Sequence, residues 1–198
     1  MKRSIHIVAA SILIAALSAA TYARNCIWHD VVSLCRDINT KSPEKGRAFA
    51  LLGSYYARSG DLAGAIASYQ EALSRRPTNA KLYVELGKVY RQAGDEEQEY
   101  ATYQRALSAG VQDARIHAEL GDLLFRHMDM EGAAGHYGRV LALDPLNAHV
   151  HYKIGLIEMA RGHYRASQAR FQKASQLDPA NENYRNYLET AASMAEKK

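Results

Sequence analysis

The sequence predicts an all-α fold, a solenoid of repeated helix–turn–helix units, and two observations carry this prediction. Four glycines recur at one constant interval, each directly after a large apolar residue: Gly53, Gly87, Gly121 and Gly155. All four prolines keep the same interval or twice that interval, at Pro43, Pro77, Pro145 and Pro179. A strict period of about 34 residues without insertions is typical of stacked supersecondary units.

Each unit is predicted to contain two helices that pack against each other. With Gly46 counted as position 1, mostly large residues occupy positions 4, 7 and 11, and this spacing places them on one face of a first helix. Positions 20, 24 and 27 define a second helix in the same way, as Ala65, Tyr69 and Ala72 do in the first unit. The small residues at positions 8 and 20 would let the two helices approach closely.

Turn and capping residues recur at the ends of these helices. The predicted caps of the second helices are Asp61, Asp95 and Asp129, and the turn glycines that precede this position are Gly60, Gly94 and Gly162. The predicted caps of the next first helices are Asn79, Asp113, Asn147 and Asn181. Proline at position 32 ends the second helix because it has no backbone N–H, and Gly110 takes this role in the second unit.

This pattern resembles the tetratricopeptide repeat family over four gapless units, residues 46–79, 80–113, 114–147 and 148–181. The resemblance rests on glycine at position 8, the apolar set at 4, 7 and 11, alanine at 20 and 27, an aromatic residue at 24 and proline at 32. It implies a right-handed α-solenoid. Two residues depart from the pattern. Met128 replaces a turn glycine, and Glu99 occupies the small-residue position 20, where we expect it to loosen the helix pair or to lean out into solvent.

Residues 1–23 are predicted to be a signal peptide or an N-terminal membrane anchor. A positively charged start precedes an uncharged stretch from Ile7 to Ala20, which favours export. Cleavage after Ala20 or Ala23, and retention of residues 4–23 as a membrane helix, are both open. The positive start keeps the N-terminus inside. We therefore expect a periplasmic or extracytoplasmic location, either soluble or anchored to the inner membrane.

Residues 24–45 are predicted to form half a repeat, with a single second-type helix over residues 28–39 that packs beneath the first unit. The sequence here is similar to a junction in glycosyltransferase-like membrane proteins. The similarity rests on the motif Arg24-Asn25-x-x-Trp28-x-Asp30, followed by Lys41-Ser42-Pro43-x-Lys45. In those proteins a last transmembrane helix leads into extracytoplasmic tetratricopeptide repeats. The resemblance implies an ancestry as a detached tail, and the catalytic part of such proteins has no counterpart in this sequence.

The two cysteines are predicted to remain unpaired with each other. Cys26 and Cys35 are nine residues apart, and nine residues of helix separate Cα atoms by about 13 Å. A disulfide needs about 4.4–6.8 Å between Cα atoms. Cys35 also takes a core position of the half repeat.

Residues 182–198 are predicted to be a C-terminal capping helix and a short tail. An array of repeats that ended openly would leave apolar surface in water. Tyr184, Tyr187, Leu188 and Ala191 share one side of this helix, which would cover the last repeat.

No residue cluster suggests catalysis, so the chain is predicted to be non-enzymatic and to need no cofactor. Of the eight histidines, His117 and His151 take core positions, and the sequence has no paired-cysteine, His-Glu-x-x-His or Cys-x-x-Cys-His spacing. We therefore predict no metal site. The formal charge of +4 falls to +2 without Lys2 and Arg3, which is too mild for a nucleic-acid-binding protein.

The functional candidate is a ligand groove lined by the first helices, as the family resemblance implies. Its predicted residues are Arg47, Ser54, Arg58, Lys81, Lys88, Arg91, Asp122, Phe125, Arg126, Tyr152, Leu156 and Met159. One half of this set is basic and the other mostly apolar. An extended or helical peptide with acidic residues at one end and bulky apolar residues at the other would complement it. We expect reversal of charge at Lys88 and Arg91 to abolish binding with little change in stability.

Two functions follow as hypotheses. The first is a scaffold that binds another protein or peptide of the cell envelope through this groove. The second is an accessory subunit of a membrane-bound glycosyltransferase or similar envelope enzyme, attached through the N-terminal segment. The location of the N-terminus after export separates the two.

Overall fold

A computed structural model describes Leu17 and residues 31–41 and 46–197. These ranges contain ten α-helices and no β-strand, which confirms the all-α prediction. Apart from Leu17, the predicted signal or anchor segment lies outside the described residues, as do Trp28 and Cys26. No helix within the described ranges combines the length and the apolar run needed to cross a membrane.

The chain divides into two compact units, one that ends at Pro77 and one that begins at Thr78. The first compact unit contains α1 (Val31–Lys41), α2 (Arg47–Ser59) and α3 (Leu62–Arg75). Its core includes Cys35, which is fully buried as the sequence predicts. Tyr69 and Ala72 of α3 are also buried, and α1 packs against α2.

The second compact unit contains seven helices. They are α4 (Ala80–Ala93), α5 (Glu96–Ser108), α6 (Ala114–Arg126), α7 (Met130–Leu143), α8 (Ala148–Ala160), α9 (Tyr164–Leu177) and α10 (Glu182–Glu196). The most extensive contacts join α4 to α5, α6 to α7, α8 to α9 and α9 to α10. The core is therefore assembled from successive helix hairpins, with α10 packed on the last of them.

Each hairpin is held by an aromatic ring that lies directly over the position 8 glycine. A Cβ atom added to Gly53, Gly121 or Gly155 would stand 2.6–2.8 Å from the ring at position 24, and one added to Gly87 would stand closer still. Real Cβ contacts are not this short. The position 24 rings of the second compact unit are all buried: Tyr103, Tyr137 and Phe171. The glycine is therefore required for each of these rings to pack.

The predicted capping pattern is present, with one exception. Asp61, Asp95 and Asp129 accept hydrogen bonds from backbone N–H groups of the second helices. Asp113, Asn147 and Asn181 cap the helices that follow them, whereas the Asn79 side chain makes no capping bond. The turn glycines have left-handed backbone, and Met128 adopts it as well, with φ 63°.

The C-terminal helix α10 covers the end of the last hairpin. Tyr184 and Ala191 are buried, and Tyr187 and Leu188 are half-buried. The Tyr184 ring centroid lies 5.1 Å from that of Tyr152 on α8. Aromatic packing of this kind keeps the last repeat's apolar surface out of water.

Candidate protein-interaction face

The predicted groove residues are distributed over both compact units. Arg47, Ser54 and Arg58 lie on α2 in the first unit, where Arg47 is exposed and Ser54 is half-buried. The other nine lie on α4, α6 and α8 in the second unit, and we call this set the groove face. Its members are Lys81, Lys88, Arg91, Asp122, Phe125, Arg126, Tyr152, Leu156 and Met159.

Charged side chains of three helices join in a network at one part of the groove face. Arg91 of α4 donates from Nη1 to Glu119 Oε2 of α6 at 2.9 Å and lies 3.6 Å from Glu99 of α5. Arg126 of α6 donates from Nη2 to Glu99 Oε2 at 2.8 Å. Lys88 stands at the edge, 3.9 Å from Glu119. We call these five residues the charge network.

Glu99 is the centre of this network, and the expectation that it leans out into solvent is wrong. Its side chain is fully buried, between the guanidinium groups of Arg91 and Arg126. Burial raises the pKa of Glu99, while the charges of Arg126 and Arg91 act in the opposite direction. One carboxylate oxygen, Oε1, is buried without a hydrogen-bond partner, and so is the hydroxyl of Tyr103, one turn further along the same helix.

Among the cations in the basic half of the predicted groove, Arg91 is the one that close internal ion pairs neutralise. The prediction that Lys88 and Arg91 can both be reversed with little change in stability takes no account of the partners of Arg91, which faces Glu119 and the buried Glu99. Lys88 differs, since its two carboxylate neighbours are 3.9–4.0 Å away and its side chain is 45% exposed. Of the two cations, Lys88 is the one that can meet a ligand at little structural cost.

Asp122 is also engaged within the protein. It accepts a hydrogen bond from the Tyr137 hydroxyl at 2.7 Å and pairs with Lys153 Nζ at 3.0 Å. Burial, together with this carboxylate, raises the pKa of the Tyr137 hydroxyl. Lys153 in turn lies over the Phe125 ring, 5.0 Å from its centroid, and so links α8 to α6.

Tyr152 belongs to an aromatic cluster at the end of the groove face. Its ring lies 5.1 Å from Tyr184, 5.4 Å from Tyr187 and 5.7 Å from Phe171. Burial, with Tyr187 beside it, raises the pKa of the Tyr152 hydroxyl to about 12. Tyr152 therefore supports the docking of α10.

The remaining residues of the groove face are available to a ligand in different degrees. Lys81 and Lys88 are exposed, whereas Phe125, Leu156 and Met159 are half-buried. Sequence reasoning did not select Glu119 and Lys153, which neutralise the face. Both occupy position 6, which is not one of the predicted groove positions but is next to position 5. Their charge was therefore the only feature of the sequence that could have pointed to them.

Within the described ranges, no three His, Cys, Asp or Glu side chains are grouped as metal ligands. His151 Nε2 lies 3.1 Å from the Pro145 carbonyl oxygen, and His163 lies 2.8 Å from Glu158. These contacts attach loops and turns to neighbouring helices. The described histidines at core positions, His117 and His151, are buried as the sequence predicts.

Sequence-family comparisons match most of the repeat region. A model described as TPR repeat matches residues 53–94, and two models described as tetratricopeptide repeat match residues 80–109, and 101–148 with 118–182. Together they span 53–182 without a gap, more than half of the chain. No curated protein sequence matches this chain.

Solved structures of similar fold show the same architecture. The crystal structure of MamA is 22% identical, with a TM-score of 0.68, and the match covers 77% of this chain and 84% of that one. YrrB, described as a TPR protein with an unusual peptide-binding site, is 17% identical, with coverage of 83% and 84% and a TM-score of 0.68. PilW, described as a widely conserved type IV pilus biogenesis factor, is 16% identical, with coverage of 90% and 83% and a TM-score of 0.65. At these identities the likeness concerns the fold.

Proposed function

Because this chain belongs to the tetratricopeptide repeat family, we propose that it is an extracytoplasmic scaffold that binds a partner protein through the groove face. Proteins of this family are typically non-enzymatic scaffolds for protein–protein interaction. The proposal adds the location and the binding surface. It concerns the second compact unit, which contains the whole groove face.

The observation that carries the proposal is that the first helices α4, α6 and α8 combine partly exposed cations with half-buried apolar side chains. The side chains of Lys88 and Arg91 remain partly exposed, at 45% and 37%. Phe125, Leu156 and Met159 are half-buried apolar side chains on α6 and α8. A peptide with a carboxylate near Lys88 and apolar side chains toward Leu156 and Met159 would match both parts.

The charge network reduces the number of acidic residues that such a peptide needs. Since Glu119 and Glu99 already neutralise much of Arg91 and Arg126, a long acidic run has little to gain at this face. One carboxylate next to Lys88 suffices, and the apolar contacts would supply most of the binding free energy. The sequence alone suggests several acidic residues at one end of the peptide, whereas this proposal needs one.

The extracytoplasmic location rests on the sequence of residues 1–23, with their positive start and uncharged stretch. Cell fractionation combined with N-terminal sequencing tests it. A soluble envelope product that begins near Arg24 is the expected result for a free scaffold. An intact Met1 in the membrane fraction would favour the accessory-subunit hypothesis, and recovery of the repeats in the cytoplasm would overturn both.

The binding face is tested with two variants of equal charge change. Lys88→Glu alters the groove face, and Lys173→Glu alters an exposed residue on the second helix α9. A partner captured from envelope extracts is first identified and purified, and its affinity is then measured by calorimetry. We expect Lys88→Glu to weaken binding by about tenfold or more, and Leu156→Ala to weaken it as well, while Lys173→Glu binds like the wild type.

Salt provides a second reading of the same experiment. If a carboxylate meets Lys88, raising the ionic strength should weaken wild-type binding, whereas it should not weaken binding by Lys88→Glu, in which salt screens a repulsion between like charges. Loss of the partner in Lys173→Glu but not in Lys88→Glu would show that binding occurs elsewhere on the repeats.

A further inference from the structure

Two histidines from adjacent helices meet inside the third repeat. His117 of α6 and His136 of α7 approach with their Nδ1 atoms 3.1 Å apart. Their ring centroids are 5.4 Å apart and the rings are tilted by 36°. His117 is buried, with 8% of its surface exposed, and His136 is half-buried. The pair is therefore largely shielded from solvent, with more exposure at His136 than at His117.

The repeat itself does not demand two imidazoles at this place. His117 and His136 occupy positions 4 and 23, and the same two positions hold different pairs in the other repeats. These pairs are Phe49 with Ser68, Tyr83 with Thr102, and His151 with Arg170. Helix packing is satisfied by an aromatic residue at position 4 and by a hydroxyl or a guanidinium at position 23. The facing nitrogen pair is a particular feature of the third repeat.

The two imidazoles are in the protonation state that a metal ion requires. Burial lowers the pKa of His117, and the charge of Arg139 acts in the same direction. Burial also lowers the pKa of His136, with His117 adding to the effect and Asp129 opposing it. Near neutral pH both rings are therefore uncharged, and the contact is a hydrogen bond between one N–H and one lone pair. For a metal ion to bind both Nδ1 atoms, the ring that holds its proton on Nδ1 must hold it on Nε2 instead, so that both rings stay neutral and each offers an Nδ1 lone pair.

We propose that His117 and His136 form a two-ligand site for a divalent transition-metal ion of the zinc class, bound through both Nδ1 atoms. With metal–nitrogen bonds of about 2.0–2.1 Å, a separation of 3.1 Å corresponds to a nitrogen–metal–nitrogen angle of about 100°. That angle lies between octahedral and tetrahedral values. Imidazole nitrogen suits zinc, copper and nickel ions.

The remaining coordination positions would be open. Among the described residues the protein offers two nitrogens and no third grouped ligand, so water or a group from a bound partner would complete the shell. A site of this kind binds less tightly than a closed structural zinc site, which has four protein ligands. It would act as a point where an ion joins this repeat to another molecule, without being needed for folding.

The test uses the full chain after treatment with a chelator, and calorimetric titration with zinc chloride. His117→Phe and His136→Thr introduce the residues that other repeats carry at the same positions, so both should fold, which circular dichroism verifies. His149→Asn, at an exposed histidine of α8, is the matched control. We expect the wild type and the control to bind one zinc ion each. The variants His117→Phe and His136→Thr should bind it with an affinity lower by about tenfold or more.

Thermal melting gives an independent readout. Zinc should raise the melting temperature of the wild type by mass action and leave that of the double variant unchanged. Equal zinc uptake by the wild type and the double variant would overturn the proposal, and so would no uptake by the wild type at millimolar zinc.

Discussion

The contact between Gly87 and Tyr103 shows how one residue sets a hairpin. The Tyr103 ring is fully buried and occupies the space that a Cβ on residue 87 would need. Gly60 is different, because a Cβ there meets nothing within 4 Å but the backbone is left-handed, with φ 83°. The two glycines are required for separate reasons, one for space and the other for backbone conformation.

We therefore expect Gly87→Leu to lower the melting temperature far more than Gly60→Asn. Leucine at residue 87 forces the buried Tyr103 ring to move, and overpacking of this kind typically costs about 1–3 kcal/mol. Asparagine tolerates left-handed backbone, so its effect at residue 60 should stay within about 0.5 kcal/mol. Thermal denaturation followed by circular dichroism compares the two, and equal melting temperatures would contradict the ring contact.

At the scale of helices, Glu99 joins three elements through charge. It stands on α5, and its two arginine partners stand on α4 and α6. Alanine is found at this position in the first and third repeats, and serine in the fourth, where Ser167 donates to the Gly155 carbonyl. The carboxylate thus replaces apolar packing by an ionic link between successive hairpins.

The raised pKa of Glu99 determines the sign of its effect on stability. Folding favours the protonated form, so the ionised form at pH 7 lowers the free energy of unfolding. We expect Glu99→Gln, which mimics the protonated state, to raise the melting temperature. Glu119→Gln is the matched control. It removes a partner of Arg91 and Lys88 and should lower stability by up to about 1 kcal/mol.

Differential scanning calorimetry at pH 7 distinguishes these outcomes. If Glu99→Gln lowers the melting temperature as much as Glu119→Gln does, the attraction of the two arginines outweighs the cost of burial. That result would make Glu99 a net stabiliser of the hairpin pair.

At the scale of the whole molecule, buried histidines contribute to the dependence of stability on pH. Burial lowers the pKa of His117, His136 and His151. The groups that face them include Arg139 near His117, Asp129 near His136, and Arg170 and Lys173 near His151. In the unfolded chain histidine titrates near pH 6.5, so below that value the unfolded state binds more protons than the folded state.

Stability should consequently be complete above about pH 6.5 and decline as the pH falls below it. Melting curves between pH 7.5 and 5.5, recorded with a chelator present, measure this decline. We expect the double variant His117→Phe, His136→Thr to lose less stability over the same interval. A wild-type curve that is flat across it would show that these imidazoles are not held neutral by the fold.

Much of the fold was predictable because its determinants lie within one repeat. Asp61, Asp95 and Asp129 cap helices that begin at the next residue, and each position 8 glycine meets the position 24 ring of the same hairpin. Such short-range relations recur in every repeat, so the four copies reinforce one another. Asn79 is the exception. It occupies the capping position, but its side chain makes no capping bond.

The sequence by itself therefore determined the all-α repeat architecture, the turn and cap residues and the buried histidines. Only the tertiary structure decided how the groove residues pair: Arg91 with Glu119, Arg126 with Glu99, Asp122 with Tyr137 and Lys153, and Tyr152 with α10. The physical reason is reach. A long charged or aromatic side chain selects its partner from a neighbouring helix, often far along the chain, and no periodic pattern within one helix specifies that choice.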